Sequence, residues 1–329
     1  MQTRFARAGE EDFQNGCGLT AASVLRYKLP KQKEGAAMNR ISTALCLSAL
    51  FAVSAPAWAA EILIKDAKSQ PESLAAAADG TLIVGSASTP FVYKIKPGST
   101  TPEVFIDASK EGPGTFFLGQ LVEGNTVWSC VLTPVANTTP AQRHTSLIAS
   151  DLATGKQKLR WDLPGNNSLC NDMAVGPDKA LYISDTIVGK IFRLAPGATS
   201  AELWLEDRLL SGIDGLTFLN GVLYYNSVFF NNLYRVPVDA QGKAGKPVQI
   251  WMDAPVKGID GMRIGNGKIV QAENGSGKIH VLTLMDGDRA HVTVLKEGLS
   301  EPTGMEPARG ELWIANRGAG NIVSIPMPK

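Results

Sequence analysis

Two stretches in the middle of the chain read as near copies of each other: GIDGLTFLNGVLYYNS, Gly212 to Ser227, and GIDGMRIGNGKIVQAEN, Gly258 to Asn274. Weaker copies of the same grammar, a polar residue followed by an apolar strand, a turn and another strand, begin at Glu72 (PESLAAAADGTLIVGSA), near Phe117 (GQLVEGNTVWSC), at Asn171 (CNDMAVGPDKALYISD) and near Thr303 (PTGMEPARGELWIANR). The intervals between starts run 45, 54, 43, 46 and 43 residues. Each copy is followed by a strand alternating apolar and polar residues, such as FVYKIKP, KIFRLAP and NIVSIPM, and preceded by another, such as EVFIDAS, ELWLEDR or QIWMDAP. That alternation has the period of two of a half-buried strand. A period near 45 with four short strands per unit predicts an all-β fold, a six-bladed β-propeller with four-stranded blades around a central channel. A pair of β-sandwiches would not require so regular a spacing and register.

The two ends of the repeat region fit the same reading. It opens with an outer-type strand, Glu61 to Asp66, and closes with inner-type strands ending at Met327, so the first strand is expected to complete the last blade and remove an exposed sheet edge. The propeller domain is therefore expected over 60–329. Upstream, Met38-Asn39-Arg40, the apolar run ISTALCLSALFAV and the small residues Ala57 and Ala59 have the layout of a secretory signal peptide over 38–59, with 1–37 a leader outside the mature protein. The apolar run is short for a membrane span and is followed by Pro56, so an exported chain, periplasmic or secreted, with no span after cleavage is expected.

The polar residue that opens each unit falls just before the innermost strand, where it faces the hub. The six positions are Glu72, Phe117, Asn171, Asp214, Asp260 and Thr303, and four of them are oxygen donors. Asp-Gly pairs also make ordinary turns, and Asp79-Gly80 and Asp286-Gly287 are read that way. Asp214 and Asp260 differ from these in sharing the register of Glu72 and Asn171. Carboxylates brought together on a channel repel by roughly 4 kcal/mol per close pair at moderate dielectric, and a divalent cation removes that cost. Glu72, Asn171, Asp214 and Asp260 are thus the expected metal ligands. An all-oxygen set suits Ca2+ first, with Mn2+ and Mg2+ as alternatives and Zn2+ less suited.

These residues resemble the gluconolactonase and senescence-marker-protein (regucalcin) family, with the paraoxonases as more distant relatives. PES resembles the family's Pro-Glu-Gly, CNDMAVGPDKALYISD its Asn-Asp motif, and GIDGM its Pro-Asp-Gly-Met; GIDGL stands where Ser-Asn-Gly-Leu is usual. The resemblance implies a six-bladed propeller with one catalytic divalent cation held at the hub by Glu, Asn and Asp, and a small-molecule lactone or ester as substrate. Two departures stand out. Asp214 replaces an Asn, and Leu169 stands where sugar-lactone members have an Arg, which points to a less polar substrate.

The expected reaction is metal-dependent hydrolysis of that lactone or ester, with Asp260 or Asp172 as the carboxylate that activates water. The alternative is a non-catalytic secreted propeller with a structural ion and a rim that binds a ligand or protein; a second carboxylate, Asp172, beside Asn171 speaks for catalysis. Other constellations fail: there is no Gly-x-Ser-x-Gly, no His-Glu-x-x-His and no phosphate loop, and DGDRAHVTVLKE has His291 where a calcium loop needs Gly. His144 is a weaker candidate base, more simply a structural histidine. Removing the 7 basic and 4 acidic residues of 1–59 from totals of 32 and 31 leaves 25 and 27, a balance that offers nothing to nucleic acid. A monomer is expected. Cys130 and Cys170 remain in the mature chain, either as a disulfide or as two small buried hydrophobes.

Overall fold

The computed structural model describes residues 60–64, 69–138 and 142–329; the segments read as leader and signal peptide lie outside them. Among the described residues all regular structure is strand, apart from three single-turn 3-10 helices. After β1 (Glu61–Leu63), the chain runs in antiparallel four-strand meanders: β2 (Pro71–Ala76), β3 (Leu82–Ser86), β4 (Phe91–Ile95) and β5 (Glu103–Asp107); then β6 (Phe116–Glu123), β7 (Thr126–Val135), β8 (Gln142–Asp151) and β9 (Gln157–Asp162). The third is β10 (Cys170–Val175), β11 (Leu181–Asp185), β12 (Lys190–Leu194) and β13 (Glu202–Glu206), and the fourth β14 (Ile213–Leu219), β15 (Val222–Ser227), β16 (Asn232–Val236) and β17 (Val248–Met252). The fifth is β18 (Ile259–Gly265), β19 (Lys268–Glu273), β20 (Lys278–Met285) and β21 (Arg289–Lys296). The last, β22 (Pro302–Ala308), β23 (Glu311–Asn316) and β24 (Asn321–Pro326), takes β1 as its outer strand, with Ile62 opposite Ile322. By hydrogen bonding the fourth and fifth groups form one eight-stranded sheet, because β17 and β21 share a short parallel contact through Trp251–Arg289 and Met252–Ala290.

The arrangement is propeller-like. The first strands of successive groups pack side by side, β2 on β6, β6 on β10, and so on to β22, which returns to β2. Core residues lie between neighbouring groups rather than in one central mass: Tyr182 and Ile191 of the third group meet Ile213, Leu216 and Tyr225 of the fourth, and Ile62 and Ile322 meet Leu74 and Tyr93 across the join of the two chain ends. The hairpins are set locally. At Asn220-Gly221 and Asn266-Gly267 both residues have positive φ, 51° and 80°, then 48° and 74°, the left-handed pair that a two-residue hairpin turn needs. Cys130 of β7 and Cys170 of β10 are joined by a disulfide, so the second and third groups are stapled together.

Each first strand carries a β-bulge at the same place. The pairing register slips between Pro71 and Leu74, Phe117 and Gln120, Cys170 and Met173, Ile213 and Leu216, Ile259 and Met262, and Pro302 and Met305. Bulges re-aim side chains, and here they turn one residue per strand toward the hub. Four of the residues following it are glycine, and the need is close approach. A Cβ on Gly119 would stand 2.1 Å from the Asn171 carbonyl oxygen, one on Gly215 2.6 Å from the Met262 amide, and one on Gly304 2.7 Å from the Glu72 carbonyl oxygen. Gly119→Ala is therefore expected to push neighbouring strands apart and cost about 1–3 kcal/mol, read as a lower denaturation midpoint with an unchanged slope.

Candidate metal centre

The bulges settle which residues face the hub: Glu72, Leu118, Asn171, Asp214, Asp260 and Thr303. Phe117, expected in this set, is fully buried in the core between the first and second groups, and Leu118 takes its place one residue on. Thr303 is also buried, and its hydroxyl donates to the Glu72 carbonyl oxygen at 2.5 Å, so it ties the last first-strand to the first one. Glu72, Asn171, Asp214 and Asp260 line a space of about 10 Å3, the scale of one water or ion. Above it opens a cleft of about 600 Å3 whose floor is the same four residues. Its walls include Leu118, Leu132, Leu169, Ile187 and Phe229, with Arg143 and Arg317 as the charged members.

Glu72 is 8% and Asp214 4% exposed. Burial, then the neighbouring Asp260 and Asp172, hold the Glu72 carboxyl well above the usual carboxylate range. Burial, then Asp260 and Glu72, do the same to Asp214. Asp260 is raised by burial, against the Gly261 amide, which donates to its Oδ1 at 2.9 Å, and against the Arg317 charge. Asn171 Nδ2 donates to Thr186 Oγ1 at 3.0 Å and to Asp214 Oδ1. Glu72 Oε2 is buried and has no hydrogen-bond partner among the described residues.

Whether this set fits a cation can be tested on these observations. Among the described residues no three carboxylate, imidazole or thiolate side chains stand together as a ready metal cluster. The hub set mixes three carboxylates with an amide, and burial first, then mutual repulsion, raises Glu72 and Asp214. A buried carboxylate oxygen without a donor, oxygen-only chemistry and shared negative charge are what a hard divalent cation relieves. The residues fit one.

Asp172, expected as a candidate water-activating base, has a different situation. It is not among the residues lining the larger cleft, though with Arg263 it lines the small space at the hub, and both its carboxylate oxygens accept from Arg263, at 2.7 and 3.0 Å. The Arg263 Nε also donates to Glu306 Oε2 at 3.2 Å. Both carboxylate oxygens are engaged by one guanidinium, so its place beside Asn171 no longer separates a catalytic site from a structural one. His144 is exposed on β8 and does not line the cleft.

Arg263 and Glu306 are the residues sequence reading missed, though the signal was present. Three residues after each hub position come Ala75, Leu121, Ala174, Thr217, Arg263 and Glu306, and all six line a cavity of about 210 Å3 on the other side of the hub. The one guanidinium and the one carboxylate of that layer stand on adjacent repeats and pair. Burial outweighs Arg263 and raises the Glu306 carboxyl to about 7. Its folded value exceeds the ordinary one near 4.5, so its contribution to stability is present below that and is lost as pH rises from about 4.5 through 7. Glu306→Gln is expected to flatten this slope in thermal melts between pH 4.5 and 8, by roughly 1–2 kcal/mol given its partial exposure.

No protein-family model and no curated protein sequence matches the chain. Solved structures do. A gluconolactonase from Xanthomonas campestris aligns with TM-score 0.61 at 18% identity, over 82% of this chain and 90% of that one. A luciferin-regenerating enzyme aligns with TM-score 0.61 at 12% identity, over 82% and 95%. A virginiamycin B lyase from Staphylococcus aureus gives 0.57 at 14%, over 81% and 98%. At such identities the likeness shows the fold. It includes gluconolactonases, the family part of which the sequence motifs resemble, while the lyase shows that the architecture serves other chemistries. Among the described residues no helix is long and apolar enough to cross a membrane.

Proposed function

We propose that the chain is a six-bladed propeller hydrolase, dependent on a divalent cation and acting on a lactone or ester with an apolar body. The observation that carries this is the placing of three buried carboxylates and an amide, with the orphaned Glu72 Oε2, at the floor of a cleft large enough for a small molecule. The blade count rests on the six bulged first strands and on β17 and β21 touching through only two residue pairs. The likeness to gluconolactonases supports the reaction class by analogy.

Glu72, Asn171, Asp214 and Asp260 would hold the cation, with Ca2+ first and Mn2+, Mg2+ or Zn2+ as alternatives. Bound there it would supply Lewis acidity toward the carbonyl oxygen and offset the shared negative charge. The protein's own groups supply the rest. One Asp260 oxygen is fixed by the Gly261 amide, which leaves the other to take a proton from the attacking water. Water adds to the carbonyl carbon, the C–O bond to the alcohol breaks, and the proton taken by Asp260 passes to the departing oxygen; acid and alcohol, or the open hydroxy acid of a lactone, are the products. Leu118, Leu132, Leu169, Ile187 and Phe229 exclude water from the apolar part of the substrate.

The test is hydrolysis of a panel of aryl esters and γ- and δ-lactones by protein treated with EDTA, then given Ca2+, Mn2+, Mg2+ or Zn2+ in turn. Activity lost to the chelator and restored by one ion is expected. Metal uptake with no hydrolysis of any member would favour the second reading, an exported propeller with a structural ion that binds a ligand through its cleft. Export itself is tested by the N-terminus of the native protein, expected near Ala60.

A further inference from the structure

The second four-strand group departs from the others. In each group the start of the first strand pairs with the end of the second, Pro71 with Ser86, Cys170 with Asp185, Ile213 with Ser227. In the second group Phe116 pairs with Leu132, yet β7 runs on to Val135 and β8 begins early at Gln142. The extra pairs are Thr133–His144, Pro134–Arg143 and Val135–Gln142. This overhang accounts for the one long repeat interval, and it rises on the hub side, because its Pro134, Gln142 and Arg143 line the cleft.

Arg143 is half-buried there. Its backbone N–H donates to the Asn166 carbonyl oxygen at 3.1 Å, but among the described residues its guanidinium has no hydrogen bond or ion pair. The other cleft cation is committed: Arg317 lies 3.4 Å from Glu301 and acts on Glu72 and Asp260. The cations that act most strongly on the hub carboxylates are Arg317 and Arg263, and Arg143 is not one of them. A guanidinium on a largely apolar wall, with no partner among the described residues, presents a fork suited to a carboxylate.

We infer that the cleft selects anionic substrates, with Arg143 as the specificity-determining residue that receives a carboxylate carried by the apolar body away from the scissile bond. This rests on the hydrolase reading for the word substrate, but not for the binding of the anion. Leu169 and Phe229 contact the hydrocarbon part, the hub takes the ester carbonyl, and the overhang of β7 and β8 supplies the charge that the Leu169 position does not.

Two assays separate the ideas. The first compares mono-p-nitrophenyl glutarate with p-nitrophenyl valerate, equal in length and different in terminal charge, after correction for their spontaneous rates. The parent is expected to favour the glutarate by roughly tenfold to a hundredfold in kcat/KM, the range for one charge-assisted contact. In Arg143→Gln that ratio is expected near one, with Arg143→Lys between, and an unchanged melting temperature shows that the variants are folded. The second is calorimetry of 4-phenylbutyrate against 4-phenylbutanol, which needs no turnover. The same loss of anion preference in Arg143→Gln is expected. If neither ester is hydrolysed while the calorimetric preference depends on Arg143, the hydrolase reading falls and this inference stands. If the parent shows no preference, or if Arg143→Gln keeps it because the anion seats at the hub instead, the inference is overturned.

Discussion

Replacing Asp260 by Ala is expected to lower the proposed hydrolysis at least a thousandfold and to weaken the binding of a divalent cation. The size follows from two losses at one residue. General-base help is worth about 10^2–10^4 in rate, and removing one of four oxygen donors leaves the other three to hold the ion alone. Folding should survive, because Asp260 contributes no core packing: its side chain lines the cleft floor and accepts from the adjacent Gly261 amide. Asp79 is the control. It binds the backbone and hydroxyl of Thr81 in a surface turn, and Asp79→Ala should leave hydrolysis within about twofold while costing no more than the ~1 kcal/mol of a lost local hydrogen bond. Hydrolysis by Asp260→Ala within tenfold of the parent would remove Asp260 from the chemistry.

The second large effect is on stability. Arg263 holds Asp172, whose side chain is 7% exposed, with a two-pronged contact and reaches Glu306 with its remaining nitrogen. Arg263→Met fills the space with carbon but leaves Asp172 as a buried charge whose nearest remaining donor is the Leu216 amide, at 3.4 Å. Breaking such a pair from one side costs about 3–5 kcal/mol. For a domain of this size that is a fall of roughly 10 °C in Tm. Adding Asp172→Asn removes the stranded charge and should restore most of the loss, since replacing both partners of a buried pair is often nearly neutral. A single variant that melts with the parent, or a double variant no better than the single, would show that the pair is not what holds these strands.

The repeat made the architecture legible because each strand group buries its faces on its neighbours, so the hydrophobic pattern must recur at fixed spacing. Sequence also exposed the four polar residues that line the cleft floor, which share a register. It slipped at Phe117, where two phenylalanines and a leucine in FFLGQ offer no polar marker. The marker was the glycine: Gly119 aligns with Gly215, Gly261 and Gly304, and at Gly119, Gly215 and Gly304 the next strand passes too close for a Cβ. The engagement of Asp172 was illegible for another reason. Next to Asn171 in sequence, Asp172 looks free to act at the same site, but its carboxylate is engaged by Arg263, 91 positions away. The disulfide could not be read either, since 40 residues separate Cys130 and Cys170 and only the packing of two strand groups brings them together. Arg143 was hidden in the one interval that broke the period.

Glu72, Asn171, Asp214 and Asp260 are proposed to act together on one divalent ion, and calorimetric titration of Ca2+ and Mn2+ into EDTA-treated, desalted protein is the test. A single site is expected in the parent, and an affinity reduced at least tenfold in Glu72→Gln, which replaces the orphaned carboxylate oxygen without changing its shape. No binding by the parent, or equal binding by parent and Glu72→Gln, would contradict it.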